Sequence, residues 1–121
     1  MPVTLGEIIN NADMPPQLRN ALTALMPRFI KVVLSPAIVA TITVAEQTFA
    51  VNGLAVGDFV AVVKPTTQAG LGVCSARVSA ANTLAITFVN PTVAGITPTA
   101  GETYLVLQAP ALLNTIANTI P

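Results

Sequence analysis

The chain has 121 residues, enough for one domain, with five basic and five acidic side chains that cancel; 53% of its residues are hydrophobic and only 8% charged, against about 25% charged in an ordinary soluble domain. It has no histidine and a single cysteine, which excludes imidazole acid–base chemistry and any disulfide within the chain. Its cations, Arg19, Arg28, Lys31, Lys64 and Arg77, form no basic run, so neither nucleic acid nor an anionic membrane is an expected partner.

Thr4-Leu5-Gly6-Glu7 has the form of a capping box and predicts a short helix over residues 5–11. Asp13 and Pro15-Pro16 suit the start of a second helix, in which Leu18, Ala21, Leu22, Leu25 and Met26 fall at helical spacing until Pro27 stops them. Arg28 and Lys31 then lie where cations favour a helix dipole. Residues 1–34 are therefore expected to form a helical N-terminal arm. Its Leu18, Leu22 and Leu25 face would either cover an open sheet face or dock against a partner or a sister subunit.

From Ser35-Pro36 onward the period changes to two, and a mainly β domain is expected over residues 35–109: a single antiparallel β-sandwich, jelly-roll-like, or barrel. Strands are predicted at 39–44, 47–51, 58–64, 73–79, 84–89 and 102–109, with a turn at Ala45-Glu46. Asn52-Gly53 and Gly57-Asp58 bend the chain between the second and third of these. That connection is longer than a tight hairpin, so the two strands can also belong to different sheets. The 58–64 run is apolar on both faces, which places it inside the structure or at an interface. The alternation of Cys74, Ala76 and Val78 predicts a buried thiol. Residues 65–72 form a loop long enough to reach outward, and residues 92–101 have the uncharged character of a surface covered by a neighbour. Beyond Pro110, the tail 110–121 spaces Leu112, Leu113, Ile116 and Ile120 like a weak helix, or lies extended along another subunit. Candidate partner-contact residues are Leu18, Leu22, Leu25, Leu112, Leu113 and Ile116.

No enzyme is expected. Glu7, Asp13, Glu46, Asp58 and Glu102 are isolated and sit where caps and strand ends need them, and no spacing fits a metal site. Gly70-Leu71-Gly72 leads into a strand and lacks the rest of a phosphate cradle, so no cofactor is expected either. The N-terminus carries an acid and no Lys or Arg, unlike a secretory signal, and every apolar run breaks before the ~20 residues of a membrane span; synthesis in the cytoplasm is the expectation. A neutral surface does not repel the next copy. A homo-oligomer or permanent assembly is therefore expected, against the alternative of a soluble surface rich in Thr, Asn, Ser and Gln.

Four pieces of the chain resemble a known module. Gln47-Thr48-Phe49-Ala50-Val51-Asn52-Gly53-Leu54-Ala55-Val56-Gly57-Asp58-Phe59-Val60, then Lys64-Pro65, then Ala76-Arg77-Val78-Ser79-Ala80-Ala81-Asn82-Thr83-Leu84-Ala85-Ile86-Thr87-Phe88-Val89-Asn90-Pro91-Thr92, and Glu102-Thr103-Tyr104, are similar to a β-sandwich module of tailed-phage virion proteins. The small head decoration, or cement, proteins are the nearest resemblance. What it implies is a trimer on the outside of an icosahedral head, bound to the phage major capsid protein and stabilising the shell, with terminal arms on capsid subunits. A different reading is a head-fibre or tail-associated module whose 65–72 and 91–101 loops bind host glycan. A third is a cellular structural β domain.

Overall fold

The computed structural model describes residues 17–18 and 26–111. Six strands, β1 (Arg28–Leu34), β2 (Thr43–Ala50), β3 (Phe59–Val63), β4 (Gly72–Ala80), β5 (Thr83–Asn90) and β6 (Glu102–Ala109), form two antiparallel three-stranded sheets, ordered β1-β6-β3 and β2-β5-β4. The chain is mainly β, as expected, and β6 has the expected bounds. Both sheets contribute to one core: Leu34, Tyr104 and Val106 from the first, Val78, Leu84, Ile86 and Phe88 from the second, closed by Val39, Val51 and Leu54.

Several expected boundaries move. Residues 28–34 are not part of a helical arm but strand β1, paired along its length with β6 from Arg28↔Gln108 to Leu34↔Glu102. Ile30, Val32 and Val33 are strong strand formers, and they outweigh the placement of two cations that suggested a helix end. The expected turn at Ala45-Glu46 lies in the middle of β2, where Glu46 points outward and needs no break. Of the expected 39–44 strand only Thr43 and Val44 are strand, as the start of β2: Val39 makes one bridge to Ile96, and Thr41-Ile42 turns into β2. Ile42 has φ 48°, a left-handed conformation costly for a β-branched side chain.

Cys74 is exposed rather than buried. The ladder to β5 runs Val73↔Phe88 and then Ser75↔Thr87, so Cys74 is the extra residue of a bulge. A bulge reverses the inward and outward order on one side of itself, which puts Val73 toward the core instead of Cys74.

The 51–58 connection does pass between sheets, from the end of β2 to the start of β3. Val51 and Leu54 are each 3% exposed, and Asn82 of the β4–β5 turn holds the loop: its carbonyl accepts from Val51 N (3.0 Å), its N–H donates to Leu54 O (2.8 Å), and its Oδ1 accepts from Gly53 N (2.8 Å). Gly53 has φ 93°, and a Cβ there would stand 3.0 Å from Arg28 Nη2, so two constraints demand glycine at this position.

At the opposite end, side-chain amides replace missing ladder partners. Gln47 both donates to Ala37 O (2.9 Å) and accepts from Ala37 N (2.8 Å), and Gln68 does the same for Thr97 O (3.1 Å) and Thr99 N (2.9 Å). The 65–72 loop is thereby tied down onto the 91–101 segment instead of reaching outward.

Tyr104 is fully buried and its hydroxyl has no hydrogen-bond partner among the described residues. Burial, helped by the nearby Glu102 charge, pushes its ionisation above the ordinary tyrosine value. Because an unpaired buried polar group is costly, Tyr104→Phe is expected to be neutral or stabilising by about 1 kcal/mol in denaturant unfolding. A loss of that size instead would require a hydroxyl partner.

Candidate functional site

The two sheets have chemically different outer faces. On β2-β5-β4 the face is polar: Arg77 Nε and Nη2 each donate 2.8 Å bonds to the two carboxylate oxygens of Glu46, across the central strand β5. Beneath that pair Ala85 is fully covered.

The face on β1-β6-β3 is apolar. Alternation turns Phe29, Lys31 and Val33 outward from β1, and Phe59, Ala61 and Val63 outward from β3. Register lines them up as Phe29–Leu107–Ala61 and Lys31–Leu105–Val63, with Phe59 beside Ala109. Phe29 is 74% exposed and Phe59 59%. These two rings flank a shallow hollow floored by Ala61, Leu107 and Ala109, with Pro27 and Arg28 at its edge. Among the described residues, Lys31 is the one charged side chain that the outward alternation places on this face, with Arg28 at its rim.

The third expected strand, apolar on both faces and expected inside the structure or at an interface, is the edge strand β3 and does not lie inside. Its inner Val60 and Val62 pack on the core, and its outer residues stand open. Phe29 escaped notice because its strand was assigned to the arm. The candidate contact residues are only partly placed: Leu18 is helical and 49% exposed, while Leu22, Leu25, Leu112, Leu113 and Ile116 lie outside the described residues, as does most of the expected arm and tail.

The end of the molecule where both terminal segments leave the sheet is built around Gln108, 3% exposed. Its Oε1 accepts from Arg28 Nε (2.9 Å) and Nη2 (2.6 Å), and its Nε2 donates to Gly53 O (3.0 Å) and Asp58 Oδ2 (2.5 Å). Arg28 Nη2 also donates to Gly53 O at 2.6 Å. Asp58 accepts from the N–H groups of Ala55 (3.0 Å) and Ala111 (3.1 Å), and so fixes the first residue after Pro110. Both exits from the sheet are therefore held rigidly at one edge of the apolar face.

Partial burial pushes the Asp58 carboxyl up, but the bonds from Ala55, Ala111 and Gln108, with the Arg28 charge, outweigh it and leave it below the usual carboxylate value. At the other end, Glu102 is lowered by hydrogen bonds from the Thr66 hydroxyl and from Lys64, whose ammonium lies 2.9 Å away. Glu46 is lowered by Arg77. A carboxylate with a depressed folded pKa stabilises the fold above its unfolded pKa, and that stability is lost as pH falls through the folded value. The thermal midpoint is thus expected to hold level down to about pH 5 and to fall below about pH 4. Asp58→Asn should lower the neutral-pH plateau and flatten the acid slope, as read by melting curves across pH. An unchanged slope would contradict the role given to Asp58.

At the loop end, Ile38 (62% exposed), Ile42 (73%) and Val93 (89%) form a smaller apolar area. Tyr104, the sole tyrosine, lies in the core and is not offered by the 65–72 and 91–101 loops. Among the described residues no three His, Cys, Asp or Glu come together as a metal site, and no helix is long and apolar enough to cross a membrane.

The arrangement is a nearly uncharged, largely apolar sheet face with both chain exits fixed at one edge. Comparison with protein-family models, with curated proteins and with solved structures finds no match.

Proposed function

We propose that this chain is a structural β-sandwich protein that self-associates, as a trimer, and binds the outer surface of a phage head, where it stabilises the shell without performing a reaction. The observation that carries the assembly reading is the continuous apolar outer face of β1-β6-β3, with Phe29 and Phe59 largely exposed. Surfaces of this kind mark protein contacts, and fully burying a phenylalanine contributes about 1.5–3 kcal/mol. The phage head as partner comes from the resemblance of the 51–58 and 76–92 stretches to decoration proteins. Threefold closure presents the same patch from every subunit, which suits a site on an icosahedral lattice.

The test is the solution mass by light scattering, followed by co-sedimentation with empty heads from the same source and the heads' rupture temperature. A trimer that pellets with heads and raises that temperature is expected. A monomer that leaves heads in the pellet alone, with unchanged rupture, would overturn the reading.

A further inference from the structure

We infer that the apolar β1-β6-β3 face is the seat of the N-terminal segment of a sister subunit, an arm exchange that builds the oligomer. This rests on the assembly reading above and names the occupant of its surface.

Charge points to the occupant first. Within the strand domain the ions are matched: Lys64 pairs with Glu102, Arg77 with Glu46, and Arg28 lies near enough to Asp58 to lower its carboxyl. One cation remains without an ionic partner among the described residues, Lys31, midway along the edge strand β1 of the apolar face. The acids not yet used, Glu7 and Asp13, are both in the N-terminal segment, whose only cation is Arg19. A face whose one charged side chain is positive and a segment whose side chains sum to −1 are thus complementary, whereas a second copy of the face offers Lys31 no carboxylate.

Shape and pattern agree. Leu18, Leu22 and Leu25 recur at the spacing of one helical stripe, the form in which a helix lies in an apolar groove. Small side chains at Ala61 and Ala109 leave the hollow between Phe29 and Phe59. The segment joins its own sheet at Pro27, on the rim of that hollow, and it spans 26 residues, enough to reach a neighbour placed at this edge.

A sister's segment fits better than the chain's own. Leu18 stays half exposed in the single chain, and among the described residues the hollow is lined by β1, β3, β6 and Pro27. The residue before a proline avoids helical geometry, so the stripe cannot run unbroken into β1 across its own face.

The experiment is cysteine cross-linking of the purified full chain, without heads, in a Cys74→Ser background. Leu22→Cys is combined either with Leu107→Cys on the apolar face or with Thr48→Cys on the polar face. Under a short bismaleimide, the Leu107 pairing should give bands of two and three chains on a denaturing gel, about tenfold above the Thr48 pairing, because docking raises the local concentration of the partner thiol. Adding Lys31→Glu should reduce those bands, and Glu7→Lys with Asp13→Lys in the same chain should restore them. Linkage confined within single chains would overturn the exchange and seat the segment on its own face. Equal linkage at both positions, or none, would overturn the site. Because no heads are present, failure to bind heads leaves this result standing, and the converse also holds.

Discussion

Asn90→Ala is expected to lower unfolding free energy by about 2–4 kcal/mol, a large fraction of the stability of a domain this size. Asn90 is fully buried at the end of β5, and its side chain ties two segments that lie outside the six strands, 35–42 and 91–101. Nδ2 donates to Val39 O (3.0 Å) and Ala94 O (2.9 Å), while Oδ1 accepts from Thr92 N (2.9 Å) and the Thr92 hydroxyl (2.7 Å). Alanine would leave the Thr92 N–H without its acceptor and would weaken the seat of Val39, itself part of the core. Val39 O and Ala94 O each keep one other donor, Ile96 N and the Thr92 hydroxyl, which is why the estimate stops short of the cost of four separate losses. The fall in melting temperature should be about 10 °C. Thr48→Ala, on the exposed outer face, should stay within about 0.5 kcal/mol. A loss at Asn90 no larger than that at Thr48 would mean that the 35–42 and 91–101 segments are held by something other than this amide.

The strands from β3 onward were legible because, the bulged β4 apart, they obey a period of two, and all end at residues with a definite reason to end them: Lys64-Pro65, Asn82, Asn90-Pro91 and Pro110. Where the reading failed, a local rule competed with tertiary pairing. Arg28 and Lys31 fit a helix terminus as well as a strand, and only the partner strand β6 decides between them. Ala45-Glu46 was a turn candidate, yet on an outer face Glu46 completes an ion pair with Arg77 that sequence distance conceals. The bulge at Cys74 leaves no mark in composition, since it follows from the register of two strands. The apolar face was half visible: Phe59, Ala61 and Val63 announced it, but its other wall, Phe29 and Val33, became apparent only once β1 was known to be a strand. The network around Gln108 could not be read in advance, because it joins residues 28, 53, 58 and 108 through an uncharged amide that carries no signal of its own.

Exposed aromatics at that face set the second large effect. Phe29→Ser combined with Phe59→Ser is expected to leave the fold as stable as before and to weaken self-association by about 10²–10⁴-fold. Both rings are mostly exposed in the single chain, so the folded subunit loses little when they go. On association each would contribute about 1.5–3 kcal/mol of burial, and every 1.4 kcal/mol is tenfold in affinity. Sedimentation velocity over a concentration series would read the change, with circular dichroism melting as the check that the fold persists. If the trimer is the form that binds heads, co-sedimentation should fall in step with the mass, and adding excess protein should recover both together. The contrasting change is Ile42→Ser with Val93→Ser at the loop end, which removes a comparable exposed apolar area and should leave the mass unchanged. Dissociation by the loop pair, with the phenylalanine pair still oligomeric, would move the subunit contact to the opposite end and leave the apolar sheet face to the capsid.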